Sequence, residues 1–307
     1  MLPAVHTDEE LSAVVGDEPT FRPAAADLAA RHGLAGRELR RYPAGSSPCY
    51  AVGDQHVIKL YPALPGYNAA AEARVLEFLQ DRLPVATPEL HALGDCENGW
   101  RFIVMSQLPG EDLAQAWPQV PRGAQDRIAD EAGGLLAALH ALDPGPLTGL
   151  TGPENWATFV TGQRVTAVER QRQVGLPEVW LEQIPDFLDS VPRPGERDLA
   201  LLHTEVMREH LVVDPGCWRL SGILDFEPAM IGDPAYDFAA VGVFTSKGDA
   251  RLLGRIMTAY GRTYDPRELL AQLLLHVCSH LPWYLGILPA PPEQTLDSLA
   301  ETWFGTA

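Results

Sequence analysis

The stretch from Leu201 to Asp237 constrains this chain more than any other: LLHTEVMREHLVVDPGCWRLSGILDFEPAMIGDPAYD. Two short apolar runs, Leu211–Val213 and Leu220–Leu224, flank Asp214-Pro215-Gly216, residues of the kind that close a β-hairpin. A charged loop, His203 to His210, leads into the hairpin, and Asp225-Phe226-Glu227 leads out of it. A hairpin holding two acidic loops side by side can bring carboxylates from both onto one metal ion. Mg²⁺-assisted phosphoryl transfer asks for that layout, because positioning and charge neutralisation supply most of its catalysis.

On these residues the sequence resembles the aminoglycoside phosphotransferases and choline-kinase-like enzymes, relatives of the protein kinases, and is nearest to the hygromycin and other aminoglycoside kinases. Their pattern is H-G-D-x-x-x-x-N, a hairpin, then [IV]-D-[FW]-x-x-x-x-x-G-D-P-x-x-D. Leu224-Asp225-Phe226, Gly232-Asp233-Pro234 and Asp237 fit its second half. In the first half His203 stands where expected, but Glu205 occupies the place of the Asp and His210 that of the Asn, with their spacing kept. The resemblance runs from about Arg37 to Asp249 and takes in the Gly242–Asp249 segment, similar to the family's post-catalytic helix.

The resemblance implies an α+β, two-lobed protein-kinase-like fold. Residues 1–108 would form a small β-rich, nucleotide-binding N-lobe with an N-terminal helix, and 109–307 a larger helical C-lobe with the catalytic loop and acceptor-binding helices. It also implies ATP or GTP as phosphoryl donor, Mg²⁺ (or Mn²⁺), and a hydroxyl acceptor on a small molecule of the aminoglycoside-antibiotic type, giving resistance by phosphorylation. Asp225 would bind the metal that bridges the nucleotide phosphates, and Glu227, two residues on, would add a second carboxylate. Glu205 would take the acceptor hydroxyl's proton or orient that hydroxyl. His210 is a metal ligand by position, although imidazole prefers Mn²⁺ or Zn²⁺ to Mg²⁺; binding a phosphate as a cation and pointing away from the site are the other readings. His203 and Asp237 read as scaffolding for the loop, and Asp233 as a turn or helix-capping residue.

Upstream, a helix centred on Ala24–Ala30 precedes strands at Leu39–Tyr42 and Cys49–Val52. The Pro43–Pro48 turn between them would lie over the nucleotide phosphates, offering Ser46 and Ser47 and small residues rather than a glycine-rich motif. Val57-Ile58-Lys59-Leu60-Tyr61 is an apolar strand with one of the chain's two lysines at its centre. Lys59 matches the lysine that holds the α- and β-phosphates; the plain alternative is an edge-strand lysine facing water. The 68–80 segment has helical periodicity, with Ala71, Val75, Leu76 and Leu79 on one face and Glu72 projecting into it. A carboxylate on a buried face needs a partner, and Lys59 is the candidate. Trp100–Ser106 is a strand leading to the inter-lobe hinge, where Ser106 and Leu108 would offer backbone groups to the nucleobase. An amphipathic helix carries Ile128 to Leu139 and ends at His140, a capping or core residue.

Residues 144–155 read as a connector and 156–190 as polar, acid-rich helix (Glu169, Glu178, Glu182, Asp186, Asp189), a region where the family places substrate-binding helices. Core helices are expected at Phe238–Phe244 and Leu252–Tyr260, and a further one at Leu269–Leu281 with His276 and His280 four apart. Four scattered cysteines without a C-x-x-C pair suit a reducing cytoplasm and argue against a structural zinc site or disulfide framework. The N-terminal residues resemble no secretory leader, and no run is long enough for a membrane span. A net charge of −18 speaks against a nucleic-acid partner and would draw a cationic substrate, though an acidic surface alone explains it equally well. A monomer or a dimer fits. Two other functions remain open: a nucleotide- or metabolite-binding pseudokinase, motivated by Glu205 and His210, and, more remotely, a metal hydrolase built on His203, Glu205 and His210.

Overall fold

The computed structural model describes residues 1–43, 45–191 and 199–306. The chain forms two compact units: Met1–Arg82 with Ala86–Pro109 and Gly222–Pro228, and Leu83–Val85 with Gly110–Ser221 and Ala229–Ala307.

The first unit opens with two helices, α1 (Asp8–Val14) and α2 (Glu18–Arg31), where one was expected. Thr7 caps α1 by accepting from the Glu10 N–H, and Pro19 in the first turn of α2 favours a fresh start there. Strands β1 (Leu39–Arg41), β2 (Cys49–Val52) and β3 (His56–Tyr61) precede α3 (Ala69–Leu79), followed by β4 (Leu90–Asp95) and β5 (Arg101–Ser106). They make an antiparallel sheet in the order β1-β2-β3-β5-β4, so β3 is the middle strand. Phe21, Ala25 and Leu28 of α2 pack on Ile58, Leu60, Trp100 and Phe102. Side chains alternate along a strand, so Lys59 and Tyr61 take the other face. A lysine there cannot reach water past a neighbouring edge, which disposes of the edge-strand reading.

The second unit continues with β6 (Glu111–Asp112), α4 (Leu113–Ala116), α5 (Arg122–His140), α6 (Trp156–Gln173), α7 (Glu178–Leu181), α8 (Ile184–Ser190) and β7 (Ala200–Leu202). The expected hairpin is β8 (Leu211–Asp214) and β9 (Arg219–Ile223), in a sheet ordered β6-β8-β9; the end of β9 belongs to the first unit. Then come β10 (Met230–Gly232), paired with β7, and α9 (Ala235–Ala240), α10 (Ala250–Tyr260), α11 (Pro266–Leu275), α12 (Leu281–Ile287) and α13 (Leu296–Phe304). Helices α5 and α10 approach so closely that a Cβ on Gly133 would stand 2.2 Å from the Ile256 carbonyl oxygen. Only glycine fits there.

One expectation is corrected here. The segment Leu269–Leu281 is not a single helix: α11 ends at Leu275, His276 is extended, and His280 caps α12 by accepting from the Trp283 N–H at 3.2 Å. Pro282 has no N–H to give inside a continuing helix and stands instead in the first turn of α12, where none is needed. The four-residue spacing of His276 and His280 therefore never becomes a shared helical face. Helix α9 runs on through a π-helical turn, Val241–Thr245, where one regular helix was expected.

Candidate active site

In the first unit the sequence brings four charged side chains to one point. Lys59 Nζ lies 2.9 Å from Glu72 Oε2, 2.7 Å from Asp225 Oδ1 and 2.8 Å from Glu227 Oε2. Tyr61, two residues along β3 and hence on the same face, donates its hydroxyl to Glu72 Oε2 at 2.5 Å. Asn68 starts α3 by accepting from the Ala71 N–H, which places Glu72 in the first turn with 1% of its surface exposed. A carboxylate is favoured near a helix N-terminus. Burial by itself would lower the Lys59 pKa, but Asp225 and Glu72 outweigh it and hold the ammonium well above its usual range.

Three carboxylates around one ammonium leave an excess of negative charge. Burial first, and then Glu72 and Asp225, push Glu227 up to about 7 against the attraction of Lys59. Its Oε1 is buried with no hydrogen-bond partner among the described residues. Oxygens of Glu72, Asp225 and Glu227 lie within 4.8 Å of one another. Hard anionic oxygens with an unsatisfied acceptor suit a divalent cation such as Mg²⁺. Asp225 has a left-handed backbone, φ 69°, a conformation that costs a non-glycine residue free energy and tends to persist at functional positions.

The other positions expected to meet a nucleotide fall on this unit too. Ser46 and Ser47 sit in the turn between β1 and β2, whose Ala44 lies outside the described residues; Ser47 is buried and its Oγ meets no described partner. Ser106 is engaged with Glu89 twice, its N–H donating to the Glu89 carbonyl at 2.8 Å and its Oγ accepting from the Glu89 N–H at 2.8 Å. Leu108 packs against Gly222, where a Cβ would stand 2.6 Å from Leu108 Cδ1.

In the second unit the loop after β7 carries His203, Thr204, Glu205 and His210. Asp237 of α9, fully buried, accepts from the His203 N–H at 3.0 Å and the Thr204 N–H at 2.6 Å, and pairs with His140 Nε2 at 3.0 Å. Burial would raise Asp237, but the His140 hydrogen bond and the two imidazoles outweigh it and hold the carboxyl below its usual range. That double grip fixes Thr204 at φ 69°, an unusual backbone for a β-branched residue. Glu205 donates its N–H to His203 Nδ1 at 3.3 Å, and His210 Nδ1 meets the Glu205 carbonyl at 2.9 Å. A carbonyl only accepts, so His210 carries a proton on Nδ1. Arg208 anchors the loop, its guanidinium 3.6 Å above the Trp117 ring and Nε donating to the Thr245 carbonyl at 2.8 Å.

Glu205 opens onto a cavity of ≈ 170 Å³. Its walls are residues that the sequence reasoning missed: Met207, Phe244, Leu273, Trp283 and Tyr284, with Cys278 donating its thiol to Glu205 Oε1 at 3.7 Å. A Trp-Tyr pair directly after the proline that opens a helix was the available signal. The acid-rich stretch contributes no carboxylate to these walls; Glu169 and Glu178 pair with Arg172, and Asp189 with Arg164. Asp233 stands at the turn into α9, where its Oδ1 accepts from the Ala235 N–H at 3.0 Å.

The profile of the phosphotransferase enzyme family matches residues 38–270. A viomycin phosphotransferase of Streptomyces vinaceus is 28% identical over 209 residues, 59% of this chain and 68% of that protein. Among solved structures, the GDP complex of wild-type aminoglycoside 2'-phosphotransferase-IIIa superposes with a TM-score of 0.69 at 17% identity, over 83% of this chain and 88% of that one. The apoenzyme of a macrolide 2'-phosphotransferase from Brachybacterium faecium gives 0.60 at 23% identity, over 88% and 99%. At those identities the two structures establish the fold, an α+β kinase-like phosphotransferase fold.

Proposed function

The chain belongs to the phosphotransferase enzyme family and is a small-molecule kinase; from that premise we propose that it transfers the γ-phosphoryl group of ATP or GTP to a hydroxyl of a small-molecule antibiotic, a class that includes the aminoglycosides. The observation that carries this reading is the Lys59–Glu72–Asp225–Glu227 cluster, because a buried lysine held by a helix carboxylate beside two further carboxylates serves nucleotide phosphates and their metal. The relatives' names, which include viomycin, aminoglycoside and macrolide phosphotransferases, support the acceptor class.

On this reading Lys59 binds phosphate oxygens, and Glu72 and Tyr61 hold it in place. Asp225 and Glu227 would hold Mg²⁺, which when bound neutralises charge on the phosphates. The Ser46–Ser47 turn approaches the phosphates, and the hinge meets the base through Leu108 and through the Ser106 carbonyl, the Ser106 N–H being taken by Glu89. On the acceptor side Glu205 takes the hydroxyl proton, while His203, His210 and Asp237 position the loop that carries it. We assign 1–108 and 109–307 as the nucleotide and acceptor lobes, with Asp225 and Glu227 serving the first. The test is phosphoryl transfer from γ-labelled ATP and GTP to a panel of hydroxylated antibiotics with Mg²⁺ or Mn²⁺. Asp225→Asn abolishes transfer and leaves the fold intact; near-normal turnover in that variant removes Asp225 from the mechanism. Nucleotide binding without transfer to any acceptor replaces this reading with a pseudokinase.

A further inference from the structure

The cavity beside Glu205 has a chemistry that narrows the acceptor. It is close in size to the ~150 Å³ of an engineered apolar cavity that admits benzene, so it takes about one six-membered ring. Phe244, Trp283 and Tyr284 form an aromatic wall, with ring centroids 5.8 Å apart for Phe244 and Trp283 and 5.5 Å for Trp283 and Tyr284. The Tyr284 hydroxyl is spent on the Cys278 carbonyl at 3.0 Å, so the residue offers its ring. Trp283 is half exposed and adds a large apolar surface to the cavity wall.

Charge in the cavity is sparse. Glu205 is the one carboxylate among the lining residues. His276 stacks on Tyr236 at 4.6 Å and turns Nε2 to the Thr204 carbonyl, and burial pushes it down to about 4, so it is neutral at physiological pH. The nearby guanidinium of Arg170 holds the carbonyls of Leu274 and His276. A ring bearing several ammonium groups would be desolvated against one carboxylate, which has its own part in the reaction, with a cation close by.

Resting on the phosphotransferase reading above, we propose that this cavity receives the uncharged carbon face of a hydroxylated ring against Trp283. The acceptor is therefore an amphipathic glycoside, with its reacting hydroxyl presented to Glu205, and Trp283 is a specificity-determining residue. Aromatic faces gain most from the C–H face of such a ring, and one hydroxyl needs only the one carboxylate. The overall charge of −18 draws cations to the surface but does not line this cavity with carboxylates.

The test is equilibrium binding by calorimetry to the full chain without nucleotide, with erythromycin as amphipathic glycoside and kanamycin as polyammonium acceptor. Erythromycin binds more tightly, its affinity changes little up to ~0.5 M salt, and Trp283→Ala weakens it by about tenfold or more while Trp283→Phe retains most of it. Tighter binding of kanamycin with a steep salt dependence and no response to Trp283→Ala overturns the proposal, as does a failure of erythromycin to bind. Phosphoryl transfer is measured separately on the same preparations. Erythromycin binding without transfer upholds the cavity assignment and sinks the kinase reading of the site; transfer to kanamycin alone does the reverse.

Discussion

Replacing Lys59 by Met tests the cluster on which the nucleotide side rests. Lys59 is 7% exposed, and its ammonium sits among Glu72, 1% exposed, Glu227, largely buried, and Asp225, which is partly exposed. Met keeps the apolar length of the side chain but removes the charge that offsets three carboxylates. Breaking a buried ion pair by removing one partner costs ~3–5 kcal/mol, most of it from the charge left behind. Asp225 retains solvent access, so the lower half of that range applies, about 3 kcal/mol. The orphaned carboxylates can take up protons, and Glu227 is already pushed up to about 7 with Lys59 present. The variant's folded state therefore binds protons that its unfolded state releases near the ordinary carboxylate range, and its deficit shrinks as pH falls from 8 toward 5. Urea unfolding of wild type and variant at several pH values, with nucleotide affinity measured alongside, reads both effects. A loss below about 1 kcal/mol at pH 8, or a deficit independent of pH, would refute the claim that Lys59 neutralises this cluster.

Three further outcomes follow from the geometry. Glu205→Gln lowers turnover by ~10²–10⁴ with nucleotide affinity little changed, and Glu205→Asp keeps part of the activity; wild-type turnover in the Gln variant removes the loop's catalytic assignment. Asp237→Asn loses one of the two anionic acceptors for the His203 and Thr204 N–H groups, so it costs about 2–3 kcal/mol of stability and lowers turnover without abolishing it, as thermal melts and initial rates will show. His276, at about 4 in the folded state against an ordinary value near 6.5, stays unprotonated where the unfolded chain takes a proton; stability therefore falls by up to ~3 kcal/mol as pH drops from about 6.5 to 4, and His276→Gln flattens that slope in melts across the range.

The fold was legible where a local rule and burial agree. The 49–52, 56–61 and 101–106 strands alternate or run apolar with β-branched residues, Asn68 starts α3, and Asp214-Pro215-Gly216 closes the hairpin. Sequence alone reads the N-terminal helix and 269–281 each as one, because their apolar residues continue in period. Only Pro19 and Pro282, read as helix starts rather than as interior residues, announce the breaks. Periodicity reports which face is buried; it does not report where the backbone stops being helical.

The Lys59–Glu72 pairing was legible because a carboxylate inside an apolar stripe demands a cation, and few cations in the chain are placed in an apolar strand. The resemblance implies Asp237 as scaffolding for the loop, but not which groups it holds, since backbone N–H groups leave no mark in a sequence. Yet that grip decides how the loop stands. Thr204 occupies a left-handed conformation that glycine would take without cost, and the hydrogen bonds from two successive amides to one buried carboxylate hold it there. The same loop then gives its Glu205 N–H to His203 and its Glu205 carbonyl to His210, so both backbone ends of the residue that carries the carboxylate are tied to imidazoles. A Glu is one methylene longer than an Asp and loses more rotamer freedom when placed. Pinning its backbone from both sides fixes where the Glu205 Cβ stands, so only the side-chain rotors, and no longer the backbone, are left to set the position of the carboxylate.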